Sequence, residues 1–329
     1  MTRTSAAPLF LLLLCLPSLS LPALALSMPS PRRTVDVVYE RIWPRRRTIN
    51  VPRAGPASGY YPPANAGGSM LTSVAGTFPP GQGEPLNIIV SGSSSPEVLV
   101  HSSLNGGFLN FWMAVGFGGE CLGQHIGASQ MADLGDGNGL VNETAELRWD
   151  YGDPSLGTCE ETIQGGDHFR YWQQNGKSAN SSAYFLASSY EKPIAEGHDI
   201  VPNGYNFGRD WLIGNITGSP IDTFSLTNTS TFSGTKSYAG FVYSVGISYV
   251  SGLLSNTSYG INHNLSVPIN GLNAIDGLVA VLDIKVVTKP ANATSAGLPI
   301  IRPSSLPSLL APLLVLGLSL WAGLLSVAV

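Results

Sequence analysis

Several chemistries are missing from this chain. It has no Gly-x-Ser-x-Gly and no His-Glu-x-x-His, so neither a nucleophile elbow nor a zincin helix is encoded. No repeat of fixed period recurs, which excludes a solenoid or a propeller. Charge is scarce, at 12% of 329 residues, against 38 glycines and 24 prolines. Between residues 54 and 301, eight Lys/Arg face nineteen Asp/Glu, a balance of −11. That acidic body excludes nucleic acid as a partner. Cysteine is rare too. Of three, Cys15 lies in an N-terminal apolar run, leaving Cys121 and Cys159. Two cysteines outside the cell most simply form one disulfide, worth roughly 3–4 kcal/mol on the chain-entropy account. Two free thiols or a metal pair are the alternatives.

What is present begins with the two ends. Arg3 precedes the apolar run 8–16, and Ala23-Leu24-Ala25 follows. This is the pattern of a secretory signal peptide over 1–25. Residues 309–329 are almost wholly apolar. Upstream stand Ser295-Ala296-Gly297 and a spacer, 291–308, with Arg302, Pro303 and Pro307. The order resembles a GPI-attachment signal with Ser295 as the lipid-bearing residue. A transmembrane helix is the alternative that the length permits. Seven N-x-S/T sequons, at Asn142, Asn180, Asn215, Asn228, Asn256, Asn264 and Asn292, agree with secretion. The expected location is the outer face of the plasma membrane or the cell wall, with the membrane as a partner through a lipid or a helix. Arg32, Arg33, Arg41, Arg45, Arg46, Arg47 and Arg53 crowd one stretch. They form either a basic arm on an acidic body or a set of processing sites.

Residues 26–83 combine that arm with a Gly/Pro-rich linker or irregular wrap. The compact domain is expected over 84–290. Its segments 86–90, 168–172, 183–190, 241–249 and 277–287 have strand character. A helix is expected from Pro96 through Val115, broken or kinked at Gly106-Gly107, and another starts near Asn206. The stretch 118–166 is acidic and loop-like. The fold class is therefore α+β, a mostly antiparallel sheet with packed helices and one disulfide.

Three motifs carry candidate chemistry. Asp133, Asp136, Asn138 and Glu143 resemble part of a calcium loop, but an EF-hand fails because Leu134 and Ala145 stand where ligands are needed. A looser calcium site competes with a simple Asp/Asn/Gly turn. Ser91-Gly92-Ser93-Ser94-Ser95-Pro96 lacks the lysine and spacing of a P-loop and reads as a connection. In Asp167-His168-Phe-Arg170-Tyr-Trp172, alternation puts His168, Arg170 and Trp172 on one strand face. Glu191, His198, Asp199, Arg209 and Asp210 follow. His168, Arg170, His198, Arg209 and Asp210 form a candidate catalytic set. Imidazole beside carboxylate moves protons or binds metal, and arginine clamps anions. A purely structural ion network is the competing account.

These residues also carry a family resemblance. Glu84-Pro-Leu-Asn-Ile-Ile-Val-Ser-Gly92, His168-x-Arg170-x-Trp172, Ala187-Ser-Ser-Tyr-Glu191, His198-x-Ile200-x-Pro202 and Arg209-Asp210 occur in the order of the LssY C-terminal domain. The resemblance spans about 84–217. It implies a strand and helix, two motif-bearing strands and a segment ending in Arg-Asp. The family's own activity is not established. Where it carries acids, Val201, Asn203, Asn206 and Gly208 stand here. Signal, sequons and tail together resemble a fungal-type cell-surface glycoprotein. Two functions follow as expectations. One is a tethered glycoprotein with a ligand-binding or wall role. The other is a surface hydrolase of an anionic or phosphorylated substrate, with His168 and His198 handling protons or a metal and the arginines holding the anion.

Overall fold

A computed structural model describes residues 56–125 and 128–291. The leader, the arginine-rich stretch, Asn292, Ser295 and the apolar tail lie outside the described residues. In chain order the elements are β1 (Ile88–Val90), α1 (Phe108–Val115), β2 (Phe117–Gly119), β3 (Met131–Ala132), β4 (Val141–Asn142), β5 (Ala145–Trp149) and α2 (Gly157–Gln164). Then come β6 (Gly166–Asn175), β7 (Asn180–Glu191), α3 (Gly204–Thr217), β8 (Thr231–Tyr238), β9 (Phe241–Val250) and β10 (Val279–Thr288). Eight strands form one sheet in the order β2-β5-β6-β7-β1-β10-β9-β8, and β3 pairs with β4 apart from it. Every neighbouring pair in the large sheet is antiparallel except β1 with β10.

The sheet is curled. Helix α1 packs against both β2 and β8, the two edge strands. Eight flat strands would hold those edges roughly 34 Å apart, beyond the reach of one helix about 10 Å across. Residue chemistry explains the inner side. Phe108, Phe111, Trp112 and Val115 line one face of α1 and meet Phe117, Phe169, Tyr171 and Tyr243 in one buried cluster. Strand β9 supplies Phe241, Tyr243, Val245, Ile247 and Tyr249 at every second position. Each such side chain contributes about 1.5–3 kcal/mol on burial. Helix α3 lies close on β7 because Gly208 has no side chain. A Cβ there would come within 2.7 Å of the Ser189 backbone.

The outer side has its own core. Ile89, Trp172, Phe185 and Ala187 are covered by Tyr60, Met70, Ile261, Val267 and Ile275. The Gly/Pro-rich stretch from 56 to 83 is thus the irregular wrap rather than a free linker. The region 96–107 forms turns, not the expected helix. The hydroxyls of Ser94 and Ser95 accept the N–H groups of Ile284 and Val286 on β10. Gly106 adopts φ +75° beside the Phe241 ring, and α1 starts only after Gly107. The acidic stretch 118–166 is not a loop, because it contains β2, β3, β4, β5 and α2.

Cys121 and Cys159 form the disulfide, with Cα atoms 4.5 Å apart. It ties the turn Cys121–Gly123 to α2. The bridge closes a 38-residue separation, worth about 4 kcal/mol on the chain-entropy account. Cys159→Ser should lower the melting temperature by about 10 °C, and reductant should do the same to the native protein. A melt unchanged by either treatment would mean that packing alone holds α2.

Candidate functional site

Three adjacent strands build a polar patch on the outer face of the sheet. Pairing register sets Glu146 opposite Arg170 and Arg148 opposite His168 across β5 and β6. On β7 the small residues Ala187 and Ser189 stand opposite Arg170 and His168, which leaves room above the strand. Glu191 ends β7. The chain then turns through a short 3-10 segment, Ile194–Glu196, to His198, whose φ of 52° lies in the left-handed region. Helix α2 lowers Glu161 onto the patch from the other side.

The ion pairs form one chain. Arg170 Nη1 bonds Glu143 Oε1 at 2.8 Å and Nη2 reaches Glu146 Oε2 at 2.7 Å. Arg148 contacts Glu146 and donates to Glu161 Oε2 at 2.8 Å. Glu191 Oε2 lies 3.1 Å from His198 Nε2, 3.5 Å from His168 Nδ1 and 3.6 Å from Arg148 Nη1. His168 Nε2 is 3.4 Å from the Ser189 hydroxyl. At the far end His125 contacts Glu120 at 2.7 Å and Glu143 at 3.6 Å. The Glu161 and His168 side chains are buried, whereas Glu191 is 14% and His198 20% exposed. Solvent therefore reaches the patch from the His198 side.

Burial pushes the Glu161 carboxyl up and the Glu191 carboxyl well up, against the opposing pull of Arg148. Burial, then Arg148 and Arg170, push His168 well below the usual imidazole range. Burial and Arg148 push His198 down as well. Burial thus disfavours charge on the imidazoles and on the carboxyls beside them alike. Glu161 Oε1, Glu191 Oε2, His168 Nδ1 and His198 Nε2 are buried atoms without a hydrogen-bond partner. A carboxylate oxygen of Glu161, one of Glu191 and a ring nitrogen of His198 all lie within 4.8 Å of one another.

The candidate catalytic set does not stay together. His168, Arg170 and His198 share this patch. Arg209 and Asp210 belong to a separate network under α3. There Arg209 Nε and Nη2 donate to Asp210 at 2.7 and 2.9 Å, and Nη1 and Nη2 donate to Asp276 at 2.8 Å each. Tyr249 Oη donates to Asp210 Oδ1 at 2.8 Å. Arg209 and Asp210 are fully buried. Every polar group in that network is paired, which is the signature of a structural pin.

The calcium constellation does not converge either. The Asp136 carboxylate accepts from the backbone N–H groups of Asn138, Asn175 and Gly176 and from Asn138 Nδ2. Asp133 accepts from the Gly135 N–H. Glu143 is drawn away to Arg170 and the Gln130 N–H. Asp133, Asp136 and Asn138 are turn residues, and Glu143 is part of the strand-face patch. Sequence reasoning missed Glu146, Arg148 and Glu161. Alternation across Ala145–Trp149, with Glu146 and Arg148 between apolar neighbours, was the available signal.

No protein-family model matches the chain, and no curated protein or solved structure matches it either. The likeness to the LssY C-terminal domain therefore rests on the motifs quoted above.

Two expectations follow. Arg209→Ala leaves Asp210 and Asp276 as an uncompensated pair and should cost about 3–5 kcal/mol, read as a large loss in denaturant midpoint. Asp167, on β6, is fully buried. It accepts from the Ser188 hydroxyl at 3.1 Å, and burial pushes its carboxyl well above the usual 3.8. The folded carboxyl keeps its proton after the unfolded one has lost it, so its contribution is fully present below pH 3.8 and is lost as pH rises. Asp167→Asn should be near neutral in stability at acid pH. At pH 8 it should stabilise, by about 1.4 kcal/mol for each pH unit over which the folded carboxyl stays protonated. Equal destabilisation at both pH values would refute that account.

Proposed function

We propose that this protein is a secreted glycoprotein, tethered to the outer face of a membrane, whose folded domain binds a ligand or shapes the cell wall. One observation carries the binding reading over the hydrolase of anionic substrates. Both arginines meant to hold the anion already carry carboxylate partners, Arg170 with Glu143 and Glu146 and Arg209 with Asp210 and Asp276, and the remaining donor, Arg170 Nε, is buried. A phosphate approaching the strand-face patch would meet acids rather than free guanidinium groups.

The location has separate support. The disulfide suits an oxidising compartment. Asn142, Asn180, Asn228 and Asn256 are exposed, as glycan acceptors must be. Asn264 is half-buried. Asn215 is half-buried as well, with its Nδ2 enclosed on α3, and is the poorest acceptor. Among the described residues no helix is long and apolar enough to cross a membrane. The tether is assigned to the apolar run 309–329 and the small residues at 295–297. An LssY-type origin for 84–217 belongs to the same proposal. It is supported by His168-x-Arg170-x-Trp172 and Ala187–Glu191 standing on neighbouring strands, with Arg209-Asp210 on the helix that follows.

Treatment of membranes with a phosphatidylinositol-specific phospholipase should release the mature protein. Peptide N-glycosidase should reduce its mass by several glycans. Retention after phospholipase would replace the lipid with a transmembrane helix. Turnover of a phosphate ester that is abolished by His168→Gln would overturn the binding reading.

A further inference from the structure

We propose that Glu161, Glu191 and His198, with His168 as a fourth donor, bind one divalent transition-metal ion of the zinc class. The inference stands on the patch itself and does not depend on the tether.

Three observations converge. The first is the set of donor atoms. His168 Nδ1 and Glu161 Oε1 belong to fully or almost fully buried side chains, and neither atom has a hydrogen-bond partner. Glu191 Oε2 and His198 Nε2 lie 3.1 Å apart but likewise make no hydrogen bond. Buried polar atoms are normally satisfied, and ligand atoms of Glu161, Glu191 and His198 within 4.8 Å of one another, with His168 Nδ1 3.5 Å from Glu191 Oε2, point to a shared partner.

The second is geometry. Glu191 Oε2 lies 3.1 Å from His198 Nε2 and 3.5 Å from His168 Nδ1. The edge of a tetrahedron around a metal with bonds of ~2.1 Å is about 3.4 Å. The other ends of the donors are held. Arg148 takes Glu161 Oε2 at 2.8 Å, leaving Oε1 available. The Ser189 hydroxyl sits 3.4 Å from His168 Nε2. With the proton on Nε2, the Nδ1 lone pair faces the Glu191 oxygen, and a cation between them would satisfy both acceptors. Such outer partners orient metal ligands.

The third is charge. Glu143, Glu146, Glu161 and Glu191 crowd a patch whose guanidinium groups are Arg148 and Arg170. Acids outnumber guanidinium groups there, and a divalent ion would offset the cost of ionising them. Mixed imidazole and carboxylate donors favour zinc and its neighbours over calcium or magnesium, which prefer oxygen alone. His125 is not part of this set, because its Nδ1 is already spent on Glu120.

The test uses the full-length glycosylated protein, stripped with chelator and titrated with zinc chloride. One ion per chain should survive gel filtration and raise the melting temperature. Calcium at millimolar concentration should do neither. Glu191→Gln keeps the shape of the side chain, and His198→Ala removes a partly exposed ring. Each should weaken zinc binding at least tenfold while leaving the melting temperature of the metal-free protein within a few degrees of native. Absence of stoichiometric zinc in the native protein would overturn the proposal. So would native-like zinc affinity in either variant.

Discussion

The closing of one sheet around α1 decides where this domain can place polar groups. Helix α1 reaches both edge strands, and Trp112 with the three apolar residues beside it fills the concave side with rings. Chain segments that are neither helix nor strand must then cover the convex side. The Gly- and Pro-rich segments do so over Ile89, Trp172 and Phe185. Their cover stops short of the β5-β6-β7 end, where α2 and the turn to His198 take over. Charged side chains collect at that margin, where α2 and the turn rather than apolar loops cover the outer sheet.

Two buried ion networks show what distinguishes a pin from a site. Around Arg209 the guanidinium donates to two carboxylates and to the Leu278 carbonyl, and Tyr249 completes Asp210. Donors and acceptors balance, so nothing is left to recruit. Around Arg148 the acids exceed the guanidinium groups and several atoms stay unmatched. Desolvated charge without a partner is costly. A protein that keeps such an imbalance at an accessible margin gains something other than stability from it.

The sequence made part of this legible. Alternation in His168-Phe-Arg170-Tyr-Trp172 correctly places three side chains on one face, since a strand allows no other arrangement. The long apolar strands and α3 were readable for the same reason. Strand β5 was not: five residues between acidic, Gly-bearing stretches look like loop. Strand β8, Thr-Phe-Ser-Gly-Thr-Lys-Ser-Tyr, was missed because an edge strand with mostly exposed positions carries little hydrophobic signal. Asp276 lies 67 residues from Arg209, and no local pattern announces such a partner. Adjacent Arg209 and Asp210 suggested shared chemistry with His168, but the helix carries them to a different part of the fold.

Strand β1 has only three residues, yet it alone joins the two halves of the sheet. On one side Ile88–Val90 meets β7, and on the other it meets β10, almost two hundred residues further along the chain. Contacts that distant in sequence are slow to form. During synthesis the half ending in β7 emerges long before β10 exists. Until β10 arrives, the open edge of β1 is an unpaired apolar strand in a half-built sheet. Such an edge invites pairing with another chain. The nascent protein is therefore most exposed to aggregation, and most in need of a chaperone, in the interval between the translation of residue 191 and that of residue 288.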